Sequence, residues 1–127
     1  MENRQLFAMQ RLRVYQVARH FVQLVEESAI QDKELRAQAT SSAKSAFLQL
    51  CEGLPNRGAG LRSKYFTESN NSLHETVGNI DLSCALGAIS TERAAVLLRV
   101  AFQFKKLLSM NCTVPMNQKI NNRFKID

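Results

Sequence analysis

The sequence predicts an all-α fold, an antiparallel up-and-down four-helix bundle, and three observations carry that expectation. Apolar residues recur at intervals of three and four in four separate stretches, and the breaks between these stretches are short. Strand-like alternation is confined to a brief run at residues 112–114. With 127 residues the chain has the length of one domain, divided here into a bundle, 1–110, and a polar, basic C-terminal tail, 111–127, expected to be flexible.

The first helix is expected over about 5–28. Phe7, Val14, Ala18, Phe21, Val22 and Val25 fall on one stripe, with Arg13, Gln16, His20, Gln23 and Glu27 between them. The pattern breaks from Ile30 to Asp32, where Asp32 can cap a second helix over 33–52 with Glu34 in its first turn. Ala39, Ser42, Ala43, Ala46 and Leu50 form a stripe of mostly small residues on that helix, which lets neighbouring helix axes approach closely. Gly53 is expected to close the second helix in a left-handed conformation, and Pro55 to prevent its continuation.

The glycine-rich run NRGAGLRSK then reads as a loop or a frayed helix start, with the third helix over 63–86. Phe66, Ser69, Leu73, Val77, Ile80 and Cys84 give its stripe, and Gly87 sits where a C-terminal cap belongs. Ser90 is a good N-cap for a fourth helix over 91–110, with Glu92 complementing the dipole and Leu97, Ala101, Phe104 and Leu108 facing inward.

Composition narrows the function classes. A hydrophobic share of 45% and a charged share of 22% are those of an ordinary globular chain. The longest apolar runs fall short of 18 residues, and MENRQLF places polar and charged groups where a signal peptide has its apolar core, so a soluble cytoplasmic protein without membrane attachment is expected. The three cysteines, Cys51, Cys84 and Cys112, lack CxxC spacing and are expected to be reduced, with no metal and no cofactor. Cys51, His20, His74, Glu52 and Glu75 are the residue types of a catalytic site, but their spacing sets no base beside a nucleophile, and the chain is read as a non-enzyme.

Charge is unevenly placed within the net of +6. Residues 1–19 hold four arginines against one glutamate, residues 93–127 hold seven Lys or Arg against Asp127, and residues 20–92 carry six basic against nine acidic groups. In an up-and-down bundle the first and last helices are neighbours, so the two basic clusters can merge. Arg99, Gln103 and Lys106 share one line of the fourth helix. Together with Arg57, Arg62 and Lys64 of the glycine-rich run and Arg13 of the first helix, they form the candidate nucleic-acid-binding set. Such a surface would grip phosphate and read little sequence. Glu52 ends a small, apolar stretch and is expected to be held by backbone amides or an arginine of a neighbouring helix or subunit.

These motifs resemble the bacterial four helix bundle proteins first noted as reading frames in intervening sequences of 23S ribosomal RNA genes, and the related accessory proteins of diversity-generating retroelements. Tyr15 and Ala18 match an aromatic followed by alanine in the first helix. Gln38, Ala43, Ser45, Glu52 and Gly53 match a glutamine opening a small-residue stretch that ends in Glu-Gly. Arg57 and Arg62 to Lys64 match an arginine-rich loop, and Ser72, Leu73, His74 and Glu75 match a Ser-Leu-x-Glu segment. Glu-Gly and that segment keep the family's register, and the likeness spans about residues 12–108. Gln49, Asn70, Asn71 and the tail after Pro115 depart from the pattern.

The resemblance implies a non-enzymatic protein that forms a homopentamer and holds nucleic acid on a basic surface. The reading that results is a bundle assembled into a ring through its small-residue and apolar surfaces, binding RNA or DNA non-specifically as an accessory factor. The alternative is a scaffold whose basic face docks a protein partner such as a reverse transcriptase or another polymerase.

Overall fold

The computed structural model describes residues 5–112, which form four α-helices and one short 3-10 turn, with no strand among them. The helices are α1 (Arg13–Glu27), α2 (Lys33–Gly53), α3 (Ala59–Ala85) and α4 (Thr91–Cys112). Each packs on its neighbours in sequence, and α1 also packs on α4. The expected tail lies outside the described residues except for Asn111 and Cys112, which extend α4 by two residues beyond the predicted end.

The first helix is shorter than its periodicity suggested. Residues Ala8–Arg11 form a separate 3-10 turn, and Leu12 is extended at φ −82°, ψ 140° before α1 begins. Gln10 causes the break: its side chain accepts the Phe7 amide at 2.9 Å, while its carbonyl accepts the Gln16 side-chain amide at 2.9 Å. At its far end α1 stops on Ser28, and Ala29 takes φ 56°, a left-handed turn without a glycine.

Asp32 caps α2 as expected, its carboxylate accepting the Leu35 amide at 2.9 Å. The small-residue stripe is wholly internal, with Ala39, Ser42, Ala43, Ala46 and Leu50 all buried. Within the chain this stripe is the surface on which α3 packs. A seam of hydroxyls lines that contact. Ser42 and Thr76 share a hydrogen bond of 2.6 Å, Ser69 donates to the Ala46 carbonyl at 2.7 Å, and Ser45 meets Ser72 at 3.1 Å. Ser72 in turn donates to the Gln49 side chain at 3.2 Å.

Gly53 has a role other than the one predicted. It is the last helical residue of α2, its φ is not positive, and it is buried against Phe66 of α3. The chain turns through Leu54 to Gly58, and α3 starts at Ala59, four residues before the expected 63. The predicted cap at Gly87 holds. With φ 75°, Gly87 donates its amide to the Cys84 carbonyl at 3.1 Å, and the Ala88 amide reaches the Ser83 carbonyl at 2.8 Å. Ser90 likewise accepts the Arg93 amide at 3.1 Å to start α4.

Phe21, Phe66, Phe104, Leu50, Leu73, Ile80 and Leu97 fill the core. Phe21 meets Phe104 edge-on at 6.3 Å, and Tyr15 tilts against Phe47 at 5.2 Å. Two polar ties close the ends. The Gln31 amide donates to the Ala88 carbonyl at 2.8 Å, joining the α1–α2 and α3–α4 connections. At the other end Arg62 joins the α2–α3 connection to the end of α4.

Candidate nucleic-acid interface

Arg62 is the first of the predicted cations to be placed by the fold, and it works inside the structure. Its guanidinium donates to the carbonyls of Leu54 at 2.9 Å, Asn56 at 3.3 Å and Asn111 at 3.4 Å. It also lies 5.0 Å from the centre of the Phe66 ring. A cation so placed satisfies carbonyls near the ends of both α2 and α4, where the helix dipoles favour positive charge. Arg62 is half-buried, so its charge adds to the local field more than to direct contact with a ligand.

The other members of the set are exposed. Arg57 lies in the α2–α3 connection, Lys64 sits in the first turns of α3 with its ammonium 5.4 Å from the Tyr65 ring, and Arg13 opens α1. Tyr15 on Phe47 sets the start of α1 beside the end of α2, and Arg62 on Asn111 sets the start of α3 beside the end of α4. Arg13, Arg57, Arg62 and Lys64 are therefore brought to one end, which Lys105 and Lys106 of α4 approach. Arg99 stands apart, two turns along α4 from Lys106.

Charge is consequently sorted along the molecule. Within about two turns of that end are Arg11, Arg13, Arg19, Arg57, Arg62, Lys64, Lys105 and Lys106, against Glu52. The opposite end has Glu26, Glu27, Asp32, Glu34, Asp81 and Glu92, against Lys33, Arg36 and Arg93. Arg93 there leans on the Glu27 carbonyl at 3.4 Å.

Three of the five residues in the predicted structural motif converge elsewhere. Gln38, Ser72 and Glu75 line a shallow groove of about 310 Å³ between α2 and α3, together with Ser41, Ser42 and Ser45. Gly53 is the close contact already described, and Glu52 departs from expectation. Within this chain the Glu52 side chain is exposed, because the inward stripe continues through Leu50 to Gly53 and turns position 52 to the surface. Its backbone carbonyl, not its carboxylate, receives the Asn56 side-chain amide at 2.6 Å.

Burial pushes the Cys51 thiol above its ordinary value, and the Glu52 charge adds to the rise, so this cysteine is a poor nucleophile at neutral pH. His74 directs Nδ1 to the Asn70 carbonyl at 2.8 Å within its own helix. Among the described residues no three of His, Cys, Asp and Glu gather as metal ligands would, and no helix is long and apolar enough to cross a membrane.

Phe102 is a surface residue that the sequence reading passed over. It is 67% exposed, although it lies on a helix whose other phenylalanine, Phe104, is fully buried. Its position relative to Arg99 and Lys106, three and four residues away, was the available signal, since that spacing assigns it to the cationic face. Comparison with protein-family models and with curated protein sequences finds no match for the chain.

Proposed function

We propose that this chain is a non-enzymatic, homo-oligomeric accessory protein, an antiparallel up-and-down bundle that binds RNA or DNA non-specifically through a basic surface. The observation that carries the reading is the gathering of eight cations from the 3-10 turn, α1, the α2–α3 connection, α3 and α4 at one end, while carboxylates collect at the other. Such a sorted field steers a polyanion to one part of the molecule and away from the rest. The contacts support the up-and-down course: Ser42 with Thr76, Ser45 with Ser72 and Gly53 with Phe66 descend along α3 as they rise along α2.

Exposed leucines support self-assembly. Leu48, Leu82 and Leu86 are 56%, 48% and 63% exposed, which leaves apolar area for a second copy once the small-residue stripe has been used internally. The ring, its five-fold size and service to a reverse transcriptase or other polymerase rest on the family resemblance.

Binding to a labelled duplex and to a labelled single strand, followed by electrophoretic shift across a salt series, tests the reading. Affinity should fall with a log-log slope of roughly −0.9 per neutralised phosphate. Absence of a complex with both probes at low salt would remove the proposal, and the mass of the intact assembly by light scattering tests the oligomer separately.

A further inference from the structure

We infer that the exposed ring of Phe102 is a stacking platform for an unpaired base, so that the nucleic acid this surface takes is single-stranded. The inference rests on the proposed nucleic-acid binding and specifies which form is bound. Three observations on α4 and its neighbour lead to it.

Phe102 is central to a cationic patch. Arg99, Lys105 and Lys106 stand at three residues before, three after and four after it, so they surround the ring on the helix surface. All three cations are exposed, and α4 carries no carboxylate beyond Glu92, so none of them has an acidic neighbour on its own helix.

The ring borders an apolar groove between α3 and α4. Leu73, Val77 and Leu98 contribute to its floor, and His74 and Lys105 flank it. Its volume of about 230 Å³ is below the 300–1,000 Å³ typical of sites that enclose a drug-sized ligand. This is the scale of one planar ring laid against Phe102.

The combination selects the partner. A duplex presents phosphates and hides the faces of its bases, so it can use the cations but not the phenyl ring. A single strand presents both, and proteins that hold single strands combine aromatic faces with a positive track. An apolar partner surface would use the groove and would be opposed by three cations losing water around it.

Fluorescence anisotropy on the full chain tests this, with a labelled 15-nucleotide mixed-sequence DNA strand as one probe and the same strand annealed to its complement as the other. Phe102→Ala should weaken single-strand binding by about fivefold to a hundredfold and leave duplex binding within about twofold. Phe102→Trp should restore single-strand binding, whereas Phe102→Leu, which keeps the apolar contact and loses the flat face, should behave as the alanine variant. Circular dichroism and light scattering should show all three variants folded and of unchanged mass. Equal weakening for both probes, full binding by Phe102→Leu, or a change of assembly mass in Phe102→Ala would each overturn the inference alone. Failure of the unsubstituted protein to bind either probe would overturn the underlying reading and this inference with it.

Discussion

The β-carbon that Gly53 lacks would stand 2.6 Å from both Cδ1 and Cε1 of the Phe66 ring, and 3.1 Å from Cβ of Tyr65. Glycine at this position lets the end of α2 lie directly on an aromatic ring of α3. Gly53→Ala is therefore expected to destabilise the protein by about 1–3 kcal/mol through overpacking. This outweighs the gain of about 1 kcal/mol that alanine brings to a helix. Urea denaturation measures the loss, and adding Phe66→Leu, which removes the colliding edge, should make the double variant cost less than the sum of the two. A more stable Gly53→Ala protein would refute the close-approach role.

The buried hydroxyls of α3 should divide by whether they are bonded. Ser69 donates to the Ala46 carbonyl from full burial, so Ser69→Ala should cost about 1 kcal/mol. Ser83 is equally buried, yet its hydroxyl has no hydrogen-bond partner among the described residues. Removing an orphaned polar atom relieves its desolvation, so Ser83→Ala should leave stability unchanged or raise it by up to about 1–3 kcal/mol. Thermal melts of the two variants should move in opposite directions or, at the least, by clearly different amounts.

Arg62 should not be replaceable by lysine. Its planar fork reaches the Leu54, Asn56 and Asn111 carbonyls together and still covers Phe66, a geometry that a single ammonium cannot reproduce. Arg62→Lys should lower the denaturation midpoint nearly as much as Arg62→Ala, about 1–3 kcal/mol if the carbonyls lose a charged partner. Hydrogen exchange should locate the loss at the α2–α3 connection and the last turn of α4. Rescue by lysine would return this residue to the group of simple surface cations.

The pH dependence of Cys51 has a definite sign. Burial, and secondarily the Glu52 charge, hold the folded thiol above its ordinary value. The protonated thiol's contribution to stability is therefore fully present below the unfolded thiol value of about 8.5 and is lost as pH rises through the higher folded value. In a variant with Cys84 and Cys112 replaced by serine, the alkylation rate of Cys51 should reach half-maximum above the pH expected for a free thiol. Glu52→Gln should move that midpoint only part of the way back, since burial is the larger cause.

Helices as units could be read from the chain because periodicity and capping residues act locally. Asp32, Gly87 and Ser90 each perform the predicted cap with the predicted residue type. Errors arose where a distant partner decides the conformation. Ala29 turns left-handed without the glycine that would have announced it. Gly53 looked like a terminator because only the folded chain brings Phe66 against it, and the start of α3 was masked by two glycines in a run whose own Arg62 ties it to the Leu54 and Asn111 carbonyls.

Site residues followed the same division. The types and helical faces of Lys106 and Arg99 were visible, but convergence of Arg13, Arg57 and Lys64 at one end depends on contacts between helices far apart in sequence. Glu52 shows the complementary case. It closes a buried stripe in the sequence, and within the chain the turn of the helix from Leu50 and Gly53 carries its side chain to the surface.

The hydrogen bond from the Gln31 amide to the Ala88 carbonyl makes two distant turns a single latch. Its one proton can leave for deuterated solvent only when the two turns part, so the rate at which residue 31 takes up deuterium reads the opening of either turn at the carboxylate-rich pole. A peptide inserted into either turn would be felt by the other, across more than fifty intervening residues.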